Sequence, residues 1–597
     1  MLLPVATAFL IWALSLSNVD VRAMNDVGLV SVLSPWTYVA LGLLTIGFCL
    51  NVYYREAGAP VLVLHVVALI VIIHGTPQLL YGTLRYAWAW KHVAIVDYIQ
   101  RNGAVDPYAT YLDVYHNWPG FFAFNALITE VAGLKSAIGY AGWAPLFFNL
   151  LDIGALLLIV RTFTRDQRLI WLSIWFFFLA NWVGQDYFAP QSLTYSLYLV
   201  VVGITLNWFR IFAHPSEATI MRWVRSKRLA SALSHIMDRS RPGDDTPAAD
   251  ARPTQRVGLV LMLTLIFIVI VSSHQLTPLL VIVSLALLVG FQIITLRSLP
   301  ILMLVLTATW FMYIAEPFMN HSLYWIVRSI GRFLGNFGAN FINLADASPG
   351  QALVALIDRT LSALVAIMAL YGFSRRVRRG RWDLPAILLL LAPFPLLAAN
   401  SYGGEIVFRV YLFALPFLAF FAAAALYPSP QAGRRQRTAV LSILLSLVML
   451  VGLLFGYYGK ERQYYFTQDE VAATEFIHNI APAHSLLIDG AWGYSLQHQN
   501  YEDYDYLSLI SMLVEDREDL IAAPVDFLSP IMESYPTAYL VLSRSQKAAI
   551  DMTGAMPAGS LQKIELALLE SPKFKVIYRN PDAAVFVLAS QTRGVPQ

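Results

Sequence analysis

The chain has 597 residues, 58% of them apolar and only 13% charged, a balance outside that of ordinary soluble domains. A polytopic membrane protein follows, with the lipid bilayer as an obligatory partner; the net charge of +3 gives no reason to expect nucleic acid. The single cysteine, Cys49, lies inside an apolar run and excludes both an intramolecular disulfide and a cysteine metal cluster.

Apolar runs near the length needed to cross about 30 Å of hydrocarbon fall at 2–17, 34–53, 60–82, 144–161, 169–183, 192–210, 257–273, 276–295, 300–316, 352–373, 384–400, 408–427 and 438–457. The expected fold class is a polytopic α-helical membrane protein of about thirteen transmembrane helices with a C-terminal exterior α/β domain. Residues 2–17 resemble the apolar part of a signal peptide, but no basic stretch precedes them, so they read as a first spanning or re-entrant helix. Arginines cluster at 161–168, 222–256, 375–381 and 434–437, all on one side of the thirteen-span register, which the positive-inside rule makes the cytoplasm. The connections 83–143, 184–191, 274–275, 317–351 and 401–407 then open outside, together with everything from Tyr458. Residues 119–133 are apolar but short and are expected to lie flat on the membrane. The connection 211–256 contains a Pro-, Asp- and Arg-rich stretch expected to be a mobile cytoplasmic loop.

These features divide the chain into a membrane module, 1–457, and an exterior domain, 458–597, at a plasma membrane. From Thr467 the pattern becomes soluble α/β: a helix at 467–479 and strands at 485–488, 538–543, 574–579 and 584–588. Helices are expected at 506–522 and 560–571. A rigid cap without chemistry of its own is the expected role of this domain.

Ionisable groups at span ends are costly and mark candidate sites. The stretch Trp88–Phe122 gathers Trp90, Lys91, His92, Asp97, Asp106, Asp113 and His116 among tyrosines and tryptophans; the plainer alternative is an interfacial segment with its aromatics among headgroups. On a helix over 90–101, Trp90, Asp97 and Arg101 share one face. The hinge Gln185-Asp186-Tyr187-Phe188-Ala189-Pro190-Gln191 wedges an acid between aromatic spans; Asp186 is a base, a sugar-hydroxyl ligand, a metal ligand, or the N-cap of the next helix. His274 sits at an exterior turn, as a phosphate ligand or a polar turn residue. Glu405 and Arg409, one turn apart, follow Gly403-Gly404; Arg409 either binds phosphate or closes a local ion pair with Glu405. Asp358-Arg359 reads as a structural pair. Exterior acids, phosphate-suited cations and many rings together suit sugar transfer from a lipid-linked phosphate.

With its many-span body, its long exterior loop ending in His116-Asn117-Trp118-Pro119-Gly120 and its exterior α/β domain, the chain resembles the GT-C superfamily of glycosyltransferases. It is similar in particular to bacterial members with a QDYF-S/A-PQ hinge, here Gln185 to Gln191. The resemblance implies an inverting hexosyl or pentosyl transfer from a polyprenyl-phosphate sugar to a glycan or glycolipid acceptor at the exterior face. It implies an acid of the first exterior loop as base and often a second acid in the next loop, which fall on Asp97 and Asp186. Arg409, Lys91, His92 and His274 would bind donor phosphate, and Trp90, Tyr187, His116 and Glu405 complete the substrate site. No cofactor is expected; carboxylates and histidines make a divalent metal conceivable, but members with monophosphate-linked donors often need none. One departure stands out. Where many members carry an acid directly after the preceding span, this chain has Arg85-Tyr86-Ala87-Trp88-Ala89-Trp90-Lys91-His92. Two rivals remain: a transporter or flippase, which would use mid-span polar groups such as Asn149 and Asp152, and an O-antigen polymerase or ligase, which would use Arg328 and Arg332.

Overall fold

The computed structural model describes every residue except 55–57, 212–230, 232–251, 339, 340, 342, 400–403, 430–435, 492, 493 and 595–597. Most of the expected mobile loop, Gly403, Arg434 and Arg435 lie outside the described residues.

Among the described residues, seven helices are long and apolar enough to cross a membrane: Pro35–Tyr54, Ala59–Tyr81, Ala144–Arg161, Pro253–Ser273, Pro349–Val377, Ile406–Ala424 and Gln436–Tyr464. An eighth is reached only if Leu299–Ile314 and Glu316–Tyr324, which meet at 90°, are taken as one span. The expectation of about thirteen spans is therefore incorrect, and the reason is physical. An apolar run reports an apolar environment, which protein supplies as well as lipid. The helix Gln167–Ala180 has 14 residues, about 21 Å at 1.5 Å per residue, and all of them from Arg168 on are buried inside the protein. Leu3–Ser15 and Thr277–Gly290 are similarly short. The run 384–400 breaks after the helix Leu384–Leu391 into a 3-10 turn at Phe394–Ala398. Pro190–Trp208 is long enough, but Gln191, Ser192, Thr194 and Ser196 make its buried face polar.

Between the spans Ala59–Tyr81 and Ala144–Arg161 the chain forms the loop helices Ala87–Asn102 and Gly120–Val131. Gly120–Val131 is apolar on both faces: Phe121, Phe122 and Ala126 are buried, while Phe124, Leu127 and Val131 are exposed.

The C-terminal unit is a five-stranded sheet in the order β2-β1-β3-β5-β4. Its strands are β1 (Leu486–Asp489), β2 (Asp505–Ser508), β3 (Ala538–Ser543), β4 (Phe574–Arg579) and β5 (Ala583–Leu588). β1 runs parallel to both β2 and β3, whereas β5 is antiparallel to β3 and β4. The helix Gln468–Ile480 opens with a capping box, Thr467 and Glu470 each bonding the other's backbone N–H. The β4–β5 turn is held by Asn580 Oδ1, which accepts from the Asp582 and Ala583 amides. β2 stands where a helix from 506 was expected; its short Tyr-Leu-Ser-Leu run has no periodicity able to separate the two states. Leu486, Ile488, Leu540 and Phe586 pack on one side of the sheet with Leu528, Ile550 and Ile564. On the other side Leu487, Val541, Val585 and Val587 share a core with Trp90, Val93, Phe121, Phe122 and Phe188. The C-terminal unit is thus welded to the 82–143 loop.

Candidate active site

The hinge between Gln167–Ala180 and Pro190–Trp208 turns at Gly184, whose φ of +67° and closeness to the Tyr86 hydroxyl, 3.1 Å from a Cβ placed there, both favour glycine. Two residues on, Asp186 is 8% exposed. Its Oδ2 accepts from Asn149 Nδ2 at 2.7 Å and from the Tyr457 hydroxyl at 3.3 Å. His74 Nδ1 lies 3.0 Å from the same oxygen and 2.9 Å from the Tyr457 hydroxyl. Arg85 continues the network, donating to Tyr457 at 3.0 Å and Tyr86 at 2.8 Å and pairing with buried Glu461, which also accepts from Tyr81 at 2.8 Å. Asp186 does not cap the next helix: the cap residue is Ala189, without a side-chain bond.

Burial works to raise the Asp186 carboxyl, but the His74 hydrogen bond, the Arg85 guanidinium and the Asn149 amide outweigh it and hold the group below its ordinary range. Its second oxygen, Oδ1, is buried without a hydrogen-bond partner among the described residues. Beside it a void of about 10 Å³, bounded by Asn149, Asp152, Asn181, Gln185 and Ser192, has room for about one water.

Above this network lies a cavity of about 620 Å³ between the membrane body and the C-terminal unit. Gln185, Tyr187, Tyr457 and Tyr464 line it together with Trp182 and Phe408, while Ala491, Ile510 and Thr553 enter from the C-terminal unit. Lys460 is the one cation among the described lining residues; its ammonium lies 5.5 Å from the Trp182 ring centroid and 3.6 Å from Asp358. Asp358 thus pairs with Lys460, whereas Arg359 lies over the Phe341 ring.

The other sequence candidates fall into three groups. Glu405 lines the cavity and pairs with Arg409 at 2.8 Å; Arg409 in turn donates to Gln191 at 2.7 Å and lies 3.2 Å from His274 Nε2. Burial and then the Arg409 charge hold His274 well below its ordinary value. Behind Tyr187 stands His92, its ring stacked on the tyrosine at 5.7 Å and its Nδ1 2.7 Å from the Phe188 carbonyl; burial pushes it down to about 4. His92 and His274 are therefore neutral near pH 7, hydrogen-bonding groups rather than cations. The third group faces the C-terminal unit. Trp90 donates to the Leu84 carbonyl and meets the His498 ring, Lys91 lies over the Trp88 ring within reach of the Asp489 charge, and His116 bonds Tyr501. Asp97 pairs with Arg101 at 2.8 Å, which also holds Glu502. None of Trp90, Lys91, Asp97 and His116 lines the cavity.

Sequence reasoning missed His74, Arg85, Tyr457, Lys460 and Glu461. An ionisable His74 inside a span was the available signal; Arg85 had been noted only as standing where an acid was expected. Among the described residues no group of three or more His, Cys, Asp or Glu side chains converges as a metal ion would require.

Fold and site together define a polytopic membrane protein whose helical body and C-terminal α/β unit enclose a cavity beside a buried carboxylate. No family model and no curated protein matches the chain. Among solved structures it is similar to the Archaeoglobus fulgidus oligosaccharyltransferase tethered with an acceptor peptide, at 10% identity over 89% of this chain and 72% of that one, with a TM-score of 0.45. It is similar to ArnT from Cupriavidus metallidurans bound to undecaprenyl phosphate, at 14% identity over 94% of this chain and 98% of that one, TM-score 0.44. A third is the arabinofuranosyltransferase AftD from Mycobacteria, at 14% identity over 85% of this chain and 40% of that one, TM-score 0.35.

Proposed function

We propose that the protein is an integral membrane glycosyltransferase that moves a sugar from a polyprenyl-phosphate donor to a glycan or glycolipid acceptor at the exterior face of the plasma membrane. The observation that carries this reading is the 620 Å³ cavity, which joins aromatic walls to the Lys460 ammonium and is lined by Gln185 and Tyr187, the hinge residues on either side of buried Asp186. Aromatic faces suit sugar rings and prenyl chains, and Lys460 suits the donor phosphate. Asp186 is the base in this scheme, with Asp97 second because it does not line the cavity and pairs with Arg101 on its own helix. Arg409 supports the hinge through Gln191 and reaches the phosphate only by releasing Glu405.

The step is a single displacement with inversion. The acceptor hydroxyl oxygen bonds to the anomeric carbon as the bond from that carbon to the phosphate oxygen breaks, and the hydroxyl proton passes to Asp186. Polyprenyl phosphate leaves with its charge held by Lys460. Asn149 and Asp152, the groups a transport path would use, are instead bonded to Asp186 and Ser196.

The test is transfer by the purified full-length protein from radiolabelled polyprenyl-phosphate sugars to extracted lipid and glycan acceptors. Wild type should transfer one of them, and Lys460→Gln should raise the donor KM by about tenfold, the loss expected for a charge-assisted hydrogen bond. Folded protein that transfers none of these sugars would sink the reading.

A further inference from the structure

One edge of the C-terminal sheet ends in polar atoms that the chain leaves unsatisfied. Asp489 closes β1 and is in register with Ser508 at the end of parallel β2, so the two side chains emerge next to each other. Leu487 and Tyr506, two residues before them, pack with the core shared with Trp90 and Val93, which puts Asp489 and Ser508 on the same face, toward the loop helix Ala87–Asn102. Gln546, 0% exposed, accepts from the Gly490 amide at 3.0 Å through Oε1 and leaves Nε2 without a partner. Asp489 Oδ1, Ser508 Oγ and Tyr506 OH are also buried without a hydrogen bond among the described residues. From the loop helix comes Lys91, its ammonium 4.5 Å from the Trp88 ring centroid. Lys91 and Asp489 each feel the other's charge, but they form no ion pair among the described residues. Burial pushes Asp489 up to about 7 against the lowering effect of the neighbouring Ser508 hydroxyl and the Lys91 charge, and pulls Lys91 below its ordinary value.

Buried polar atoms left without a partner are costly, and Asp489 Oδ1 and Ser508 Oγ sit side by side at the ends of paired strands, with Gln546 held to the next residue, Gly490. We propose that Asp489, Ser508, Gln546 and Lys91 form a binding site for the hydroxyl groups of a neutral carbohydrate, the acceptor of the transfer proposed above, on which this inference rests. The donor and acceptor pattern selects that class. Lys91 and the Gln546 amide donate, Asp489 accepts, and Ser508 and Tyr506 do either, as sugar hydroxyls do in return. A fully ionised phosphate offers no hydrogen to the acceptor at Asp489, whereas a sugar hydroxyl does. The place is also right: Ala491 and Ile510, two residues beyond Asp489 and Ser508, line the large cavity with Trp88, a ring on which a pyranose face can rest. Ligands of sheets with parallel strands commonly bind at their carboxyl ends, where connections leave in opposite directions, as they do on either side of β1.

The full-length protein in detergent is titrated with neutral trisaccharides (maltotriose, mannotriose and cellotriose), with tryptophan fluorescence as readout. At least one should bind saturably, and Asp489→Asn and Ser508→Ala should each weaken it by about tenfold. In the transfer assay both variants should raise the acceptor KM with donor KM and kcat retained. Absence of saturable binding by wild type, or equal binding by both variants, overturns the site. Binding without any transfer supports the site and removes the transferase reading. Transfer with an unchanged acceptor KM in both variants does the reverse.

Discussion

Asp186 is the residue on which the proposed chemistry turns, and its surroundings give it two unlike oxygens. Oδ2 is tied to Asn149, His74 and Tyr457, while Oδ1 has no hydrogen-bond partner among the described residues. Replacing it by asparagine keeps the shape but removes both the proton acceptor and the charge that His74 and Arg85 stabilise, so kcat should fall by about 10²–10⁴-fold and the melting temperature should also drop. Asp97→Asn breaks a half-exposed ion pair with Arg101, worth about 0–1 kcal/mol, and should leave the rate unchanged. The opposite pair of results would move the base to Asp97. Because the Asp186 carboxyl is held below its ordinary range, it stays ionised through neutral pH, and the rate should show no acid limb from it until pH falls below that of an ordinary carboxylate. Asp186 was legible in the sequence because an acid between Trp182 and Phe188 suits neither lipid nor a plain turn. Its partners were not. His74, Tyr457 and Glu461 come from spans remote in sequence, and only the packing of those spans brings them to the hinge.

At the scale of elements, helix type and approximate position could be read from apolar periodicity, and crossing number could not. Arg168–Ala180 is as apolar as a lipid-facing span, yet it is enclosed by protein, and no local pattern distinguishes those environments. Close helix crossings were equally hidden, because a glycine in an apolar run does not announce what it touches. Gly372 lies where Pro349–Val377 crosses Ile406–Ala424: a Cβ there would lie 1.8 Å from the Phe421 carbonyl oxygen and 2.7 Å from the Ala425 nitrogen. Both are backbone atoms, so the helices must separate for Gly372→Ala to fit, at a cost of about 1–3 kcal/mol. Gly154, on Ala144–Arg161, has nothing within 4 Å of its Cβ position, and alanine there should be neutral or stabilising by up to about 1 kcal/mol. Thermal unfolding of the two variants in detergent should give shifts of opposite sign, or a shift for Gly372→Ala alone. Equal shifts would mean that this crossing is not close-packed.

For the whole molecule the decisive feature is the seam between the 82–143 loop and the C-terminal unit, since the cavity exists only while the two are joined. Three buried histidines stand along it. His92 lies behind the hinge, His116 bonds Tyr501, and His498 meets the Trp90 ring edge-on at 4.9 Å. Burial pushes each from an ordinary 6.5 down to about 4. Lys91 adds to the effect at His92 and His478 at His498, while Asp106 and Glu502 oppose it at His116. In the window between 6.5 and about 4, a chain with the seam open binds protons that the closed form refuses. Stability of the closed form must therefore fall as pH drops through that window and is fully present above it. Asp489, raised to about 7, has the opposite dependence: the closed form binds its proton more tightly, and that contribution is lost as pH rises through 7. Closure is thus favoured most near neutrality. Amide hydrogen exchange in residues 494–508 should accelerate at pH 5 relative to pH 7. His498→Phe, which keeps a ring against Trp90 but cannot titrate, should reduce that acceleration. Identical exchange at the two pH values in wild type would show that these rings are not charged on opening, and that the seam is held by its apolar core alone.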